Sequence, residues 1–368
     1  MKKNPVITII LVLSLALLAG CGDKETKPKF SPAFTEYRTI QFITSRGHSP
    51  KSVMYLDNNG DILLACRGGA TLEQLQEAGI PYTTSQLKLL EVLGLLERKD
   101  GYRTKFPILD SVQTEALRRL MDKPARDLLA SIGPAIGELI EQVRMEYDNH
   151  NSSFSIAFSY ILDGVVWEIM AEEGLSAPPR ITDVNPFWGG EVWSLYPPRT
   201  FSSGTNTFSD QGVVFAVNWT RGIMPKLRQF WADRTMLKGL MTDYRIHGRV
   251  VDQAVLEYYR PFNIFNEQGV FTIPIVEERA GNRLYDSCRA IARAIALEVP
   301  KVLDLPAIME AYGFDNLSQT TIIAYHELMW SITEQLEAEG LMSRPLAFKD
   351  PEHAEMADLA DLILIRQR

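Results

Sequence analysis

Cysteine is scarce in this chain, with three in 368 residues, too few for a disulfide-built scaffold. The five histidines each stand alone in sequence, so no His-based metal motif is present. Basic charge is in deficit. Lys and Arg number 38 against 46 Asp and Glu, for a formal net charge of −8. Without Lys2 and Lys3 of the leader the balance is about −10, 36 basic against 46 acidic. Such a body repels phosphate backbones at long range and weighs against a nucleic-acid partner. Repeats at solenoid periods and low-complexity tracts are absent. Past the leader no stretch approaches about 18 consecutive apolar residues, which argues against a membrane-spanning body.

What is present is an ordinary folding composition, 46% hydrophobic and 23% charged, with length for two or three domains. Met1-Lys2-Lys3-Asn4 is a short basic segment, and Val6 to Leu18 is apolar apart from Thr8 and Ser14. That run is too short for a mature spanning helix and suits an export-signal core. It ends in Leu18-Ala19-Gly20-Cys21. This ending resembles the lipobox of bacterial lipoproteins. The resemblance implies a signal peptide over 1–20, lipid (palmitate) on Cys21, and a membrane-anchored protein facing outside the cytoplasm. Residues 21–33 then read as a polar tether. Cys66 and Cys288 remain, with no motif around either, and are expected as separate buried thiols.

Thr71 to Leu109 is the most structured stretch by pattern. Leu72, Leu75 and Ala78 fall on one helical face, with Gly79 placed to end it. Thr83 or Thr84 can cap a second helix, whose Leu87, Leu90, Leu93 (with Val92) and Leu96 form an apolar core stripe. Asp100-Gly101 supplies a hairpin turn, and Tyr102 to Leu109 a returning strand. Helix, turn, helix and charged hairpin resemble a winged helix-turn-helix, a family known mostly for binding DNA. The resemblance implies a second helix set in a DNA groove and a hairpin on phosphate. The hairpin carries Arg98, Lys99, Arg103 and Lys105, yet the whole stretch balances five basic against five acidic residues. A DNA reader shows a basic excess on its docking face. These four residues are therefore expected to form a protein-interaction surface.

The remainder predicts an α+β chain, predominantly helical: a winged-helix-like domain over 34–110, a helical region over 111–175, and a mixed α/β domain over 176–368. Ser111 to Tyr147 reads as helix interrupted near Pro124 and Gly133-Pro134, and Ser153 to Glu173 as a strongly apolar helix. Ser176 to Gly212 reads as a long aromatic-rich loop. Val213 to Trp219 reads as a buried strand, Lys226 to Tyr244 as a helix, and Val270 to Val276 as an edge strand. Leu284 to Val299 and Thr320 to Glu339 read as helices, the latter capped by Ser318, and Asp361 to Arg368 as a terminal strand.

Several motifs fail on their chemistry. Asp57 to Asp61 has its glycine in the wrong place for a calcium loop. Ser85-Gln86-Leu87-Lys88 matches a penicillin-binding Ser-x-x-Lys spacing but lacks its Lys-Thr-Gly and Ser-Asp-Asn companions. His326-Glu327 opens a zinc-protease motif, but Trp330 stands where the second histidine belongs. The expectation there is a helix with Leu328, Ile332 and Leu336 inward and His326 near a surface or cleft. Ile332 to Leu341 echoes the first helix end, without a hairpin after it.

Trp188, Trp193, Tyr196 and Glu191 are the candidate ligand-binding residues, within a cluster that includes Trp219, Phe230, Trp231 and Tyr244. Aromatic faces beside carboxylates (Asp183, Asp210, Asp233, Asp243) suit sugars or apolar peptides. The favoured function is a lipid-anchored binding or scaffolding protein whose winged-helix-like domain contacts protein, with no catalytic, cofactor or metal residue assigned. The alternatives are an envelope hydrolase acting on glycan or peptide in the aromatic cleft, and a DNA-binding regulator should the leader be no export signal.

Overall fold

The computed structural model describes residues 34, 37–44, 50–147, 151–176, 191–197, 199, 203–350, 352–359 and 361–367. The leader, Cys21, the tether, Asp183 and Trp188 lie outside them. The chain is a predominantly helical α+β protein with two hydrophobic cores.

The smaller core belongs to the N-terminal part. After β1 (Arg38–Thr44) come α1 (Lys51–Met54), α2 (Asn59–Ala65), α3 (Leu72–Glu77) and α4 (Thr84–Val92), then the hairpin β2 (Leu96–Arg98) and β3 (Tyr102–Thr104). Thr71 caps α3 and Thr83 caps α4, each in a reciprocal box with the glutamine three residues on. Leu75, Leu87 and Leu90 point into the core with Ile62, Leu63 and Leu95. Ala70 exchanges backbone hydrogen bonds with Tyr102, adding a third short segment to the hairpin. Gly101 sits so close to that segment that a Cβ there would meet the Ala70 carbonyl oxygen at 2.7 Å. Glycine is what lets the hairpin close on Ala70.

The larger core begins with α5 (Ser111–Glu146), a single helix of 36 residues with Pro124 and Pro134 inside it. The expected interruption does not occur. Each proline removes one helical hydrogen bond, but an apolar stripe from Leu117 through Met121, Leu128, Ile132, Ile136 and Leu139 to Val143 is buried along the whole length. Next is a continuous helix, α6 (Ser152–Glu172), whose segment Ser155–Val165 takes the wider π form. By length and composition α6 could cross a membrane, contrary to the expectation from apolar runs, but 78% of its apolar window is buried inside the protein.

The proline- and aromatic-rich stretch is not one loop. It contains β4 (Glu191–Tyr196) and β5 (Ser203–Asp210). β4 pairs antiparallel with β1, 147 or more positions earlier, a partner that local pattern could not reveal. Then follow β6 (Val213–Thr220), α7 (Met224–Phe230), α8 (Arg234–His247), α9 (Gln253–Tyr259), β7 (Ile275–Glu278), α10 (Arg283–Val302), α11 (Leu305–Tyr312), α12 (Leu317–Ala338), α13 (Leu346–Lys349) and β8 (Leu362–Gln367). The expected helix from Lys226 splits in two because Asp233 turns to cap α8, accepting from the Thr235 and Met236 amides. Asn316, not Ser318, caps α12. No hairpin follows α12, so the echo of the first helix end is an ordinary helix end.

The principal sheet has the order β5-β6-β8-β7, antiparallel except for β7 with β8. Strand β7 is an edge, but it begins at Ile275, after Pro274, and not at the expected Val270; the C-terminal strand is internal. The two cores meet at β4, where Leu195 belongs to the smaller and the adjacent Tyr196 to the larger. Alternation along a strand places consecutive side chains on opposite faces, so β4 serves both. Cys66 and Cys288 are buried free thiols, one in each core. Burial pushes the Cys66 thiol up to about 11 and Cys288 up to about 12.

Candidate functional site

The outward face of α4 and the hairpin is the surface expected to carry an interaction. Its basic side chains are largely occupied within the domain. Lys88 pairs with Glu91 at 3.1 Å and Lys99 with Glu97 at 3.2 Å. The Arg98 guanidinium lies 5.7 Å from the centre of the Tyr102 ring, and Arg103 donates to the Gly68 carbonyl at 3.4 Å. Lys105 is exposed. Beside them Leu89 is 39% exposed and Val92 52%, three residues apart on one helical face. Leu56, 51% exposed, precedes Asn58, whose side-chain oxygen accepts from Gln86 on α4. Ser85 is exposed, and its neighbour Lys88 turns to Glu91, so no serine-lysine pair forms.

A second feature was hidden in the failed zinc motif. Leu328, Ile332 and Leu336 are buried as expected, and His326 keeps 19% of its side chain exposed. Glu327, however, is 1% exposed, at the heart of a charged cluster. Arg118 of α5 donates to its Oε2 at 3.2 Å and Arg199 at 2.9 Å, while the Tyr196 hydroxyl donates to Oε1 at 2.9 Å. The Nδ1 atom of His326 lies 3.2 Å from the Tyr196 hydroxyl. Burial opposes ionisation of Glu327, but the His326 hydrogen bond and the Arg199 and Arg118 charges outweigh it. Its carboxyl is held far below the usual carboxylate range. A carboxylate so committed exchanges no proton near neutral pH; it is an anchor for the arginines.

Above Glu327 opens a pocket of about 290 Å³. Arg118, Arg119, Arg199 and Arg344 line it against Glu115, Asp122 and Glu334, with Trp330 at the wall. Arg199 stacks 5.9 Å from the centre of one Trp330 ring and holds Glu334 at 2.5 Å. Positive and negative groups nearly cancel, so the lining selects for hydrogen-bond pattern more than for net charge.

A third cluster follows the π segment of α6. Ser155, Ser159 and Asp163 recur every four residues and face the sheet. Ser155 and Ser159 donate to Asp361, the latter at 3.0 Å, and the Asn218 amide donates to Asp361 at 2.7 Å. Thr205 donates to Asp163 at 2.9 Å. Burial raises the Asp361 carboxyl to about 6, against the lowering effect of these hydrogen bonds. Asp163 is raised as well, by burial, with partial relief from the Thr205 hydrogen bond and the nearby His326.

Of the aromatic candidates, Trp188 lies outside the described residues. Tyr196 is 1% exposed, and its hydroxyl donates to Glu327. Glu191 and Trp193 lie in β4, their backbones paired with Thr44 and Gln41. Phe230 and Tyr244 are core residues, and Trp219 and Trp231 pack half-buried against that core. Asp233 is a helix cap and Asp243 accepts from the Val251 and Asp252 amides. Neither is poised for hydrolysis. No group of three or more His, Cys, Asp or Glu among the described residues has metal-binding geometry. The signal for Glu327 was a charge at a core-facing position of a helix, and for Asp361 the four-residue recurrence of Ser, Ser and Asp in an apolar run. No protein-family model, curated protein or solved structure matches the chain.

Proposed function

We propose that the protein is a lipid-anchored binding or scaffolding protein of the bacterial cell envelope, held through Cys21 and contacting a protein partner through its winged-helix-like domain. The single observation that carries the protein-contact reading is the character of the outward face of α4. Its lysine is paired to Glu91, whereas Leu89 and Val92 stand 39% and 52% exposed. A helix that reads DNA spends its exposed positions on polar and basic groups. Apolar side chains flanked by paired charges suit a protein interface with a dry centre and polar rim. The order of helix, short segment, helix, helix and hairpin around one small core supports the winged-helix-like reading. The acidic net charge of −8 supports a partner other than nucleic acid.

The anchor and the surface are tested together. Cells expressing the parent and Cys21→Ala are fractionated; the parent pellets with membranes and the variant does not. The solubilised parent shows no salt-dependent retention of duplex DNA. Both chains in the cytosol, or retention of DNA at low salt, overturns the proposal.

A further inference from the structure

In a chain of net charge −8, residues 221–260 hold eight basic and four acidic side chains. Three of those acids are consumed by backbone: Asp233 caps α8, Asp252 caps α9, and Asp243 accepts from two amides. Of the basic groups, Lys226 donates to the Ala354 carbonyl. Arg234, Lys238 and Arg245 lie at four- and seven-residue steps in one stripe along α8, flanking its buried face of Leu237, Leu240 and Tyr244. Arg249 follows just beyond the helix end. All four are exposed, and among the described residues none has an ion-pair partner.

The same end of α8 displays aliphatic side chains. Ile246 is 59% exposed, Val251 44% and Val270 46%. Ile246 stands on the last turn of α8, while Val251 and Val270 come from two loops held together by the Val250 amide on the Gly269 carbonyl at 2.8 Å, and Val251 is tied to α8 through Asp243 at 2.8 Å. Glu267 in the adjoining loop is an opposing charge. We infer that this basic stripe and its aliphatic tip form a docking face for an anionic lipid surface, the cations meeting headgroups and Ile246, Val251 and Val270 entering the interface.

The occupant follows from the combination. Phosphate groups of either a nucleic acid or a membrane would satisfy the cations, but exposed aliphatic tips gain only where hydrocarbon is within reach. Basic side chains near an anionic leaflet each add a modest, salt-screened attraction. The inference rests on the anchoring reading for its setting: lipid on Cys21 would keep the body beside a bilayer.

The test uses full chains that all carry Cys21→Ala, so that no acyl chain contributes and the result is separate from that of the anchor. Sedimentation with vesicles is compared between this parent and Arg234→Glu/Lys238→Glu/Arg245→Glu, with circular dichroism to confirm equal folding. On phosphatidylcholine vesicles containing phosphatidylglycerol, the triple variant binds about tenfold or more weakly than the parent at about 0.1 M salt. That difference vanishes in high salt and is missing on phosphatidylcholine alone. Ile246→Ser, which leaves the charges in place, weakens binding about threefold. Equal binding of parent and triple variant to the anionic vesicles overturns the inference. So does parent binding to a short DNA duplex in preference to the vesicles, lost in the triple variant, which would assign the face to nucleic acid.

Discussion

Arg118 and Glu327 meet at 3.2 Å across 209 positions of sequence, fastening α5 to α12 inside the larger core. Arg199 shares the same carboxylate oxygen at 2.9 Å. Removing the carboxylate leaves two guanidinium groups, 14% and 18% exposed, without their buried counter-charge. Glu327→Gln is therefore expected to destabilise the fold by about 3–5 kcal/mol, read by urea unfolding. A change under about 1 kcal/mol would mean that solvent, and not Glu327, stabilises the arginines.

Stability should depend on pH through buried carboxyls in opposite senses, Asp361 and Asp163 in one and Glu327 in the other. Asp361 titrates near 6 in the folded chain and near about 4 when unfolded. The folded state thus holds the extra proton between these values, and stability falls as pH rises through that window, by up to about 3 kcal/mol. Glu327 is shifted the other way. Its contribution is present above its unfolded value of about 4.3 and is lost as pH falls below it. Thermal unfolding across pH 4 to 6 should flatten in Asp361→Asn. An unchanged slope in that variant contradicts the assignment.

Gly101 sets the hairpin against Ala70. Gly101→Ala places a Cβ within 2.7 Å of a backbone oxygen, which has no side-chain freedom to yield. The variant should lose roughly 1–3 kcal/mol, measured by thermal unfolding. Gly79→Ala provides the contrast: Gly79 is at φ +67 with no atom near its Cβ position, so only conformational strain of about 1 kcal/mol applies.

What was legible in the sequence was local. Leu75, Leu87 and Leu90 were placed by helical period, Thr83 as a cap by side-chain chemistry, and β6 by its run of valines and Phe215. The predominantly helical α+β class followed from those elements. What could not be read was either non-local or overridden by packing. β4 is a strand because β1 lies beside it. α5 continues through Pro124 because both its ends and its middle bury apolar side chains. Glu327 is a buried anchor only because Arg118 and Arg199, remote in sequence, arrive at it. Among the candidate surfaces, Arg98, Lys99, Arg103 and Lys105 were found by pattern. The neighbouring exposure of Leu89 was not, and Val92, read with the core stripe, is corrected to a residue 52% exposed.

That exposed pair also bears the central claim. Membranes from cells expressing the full chain, with a photoreactive residue at exposed Lys105, are irradiated and solubilised, alongside the same chain carrying Leu89→Glu/Val92→Glu. Because both substituted positions are exposed, the double variant should unfold within about 0.5 kcal/mol of the parent. The account predicts one protein adduct of defined mass in the parent, absent from the double variant. An adduct that survives the double substitution, or a parent that yields none, would contradict it.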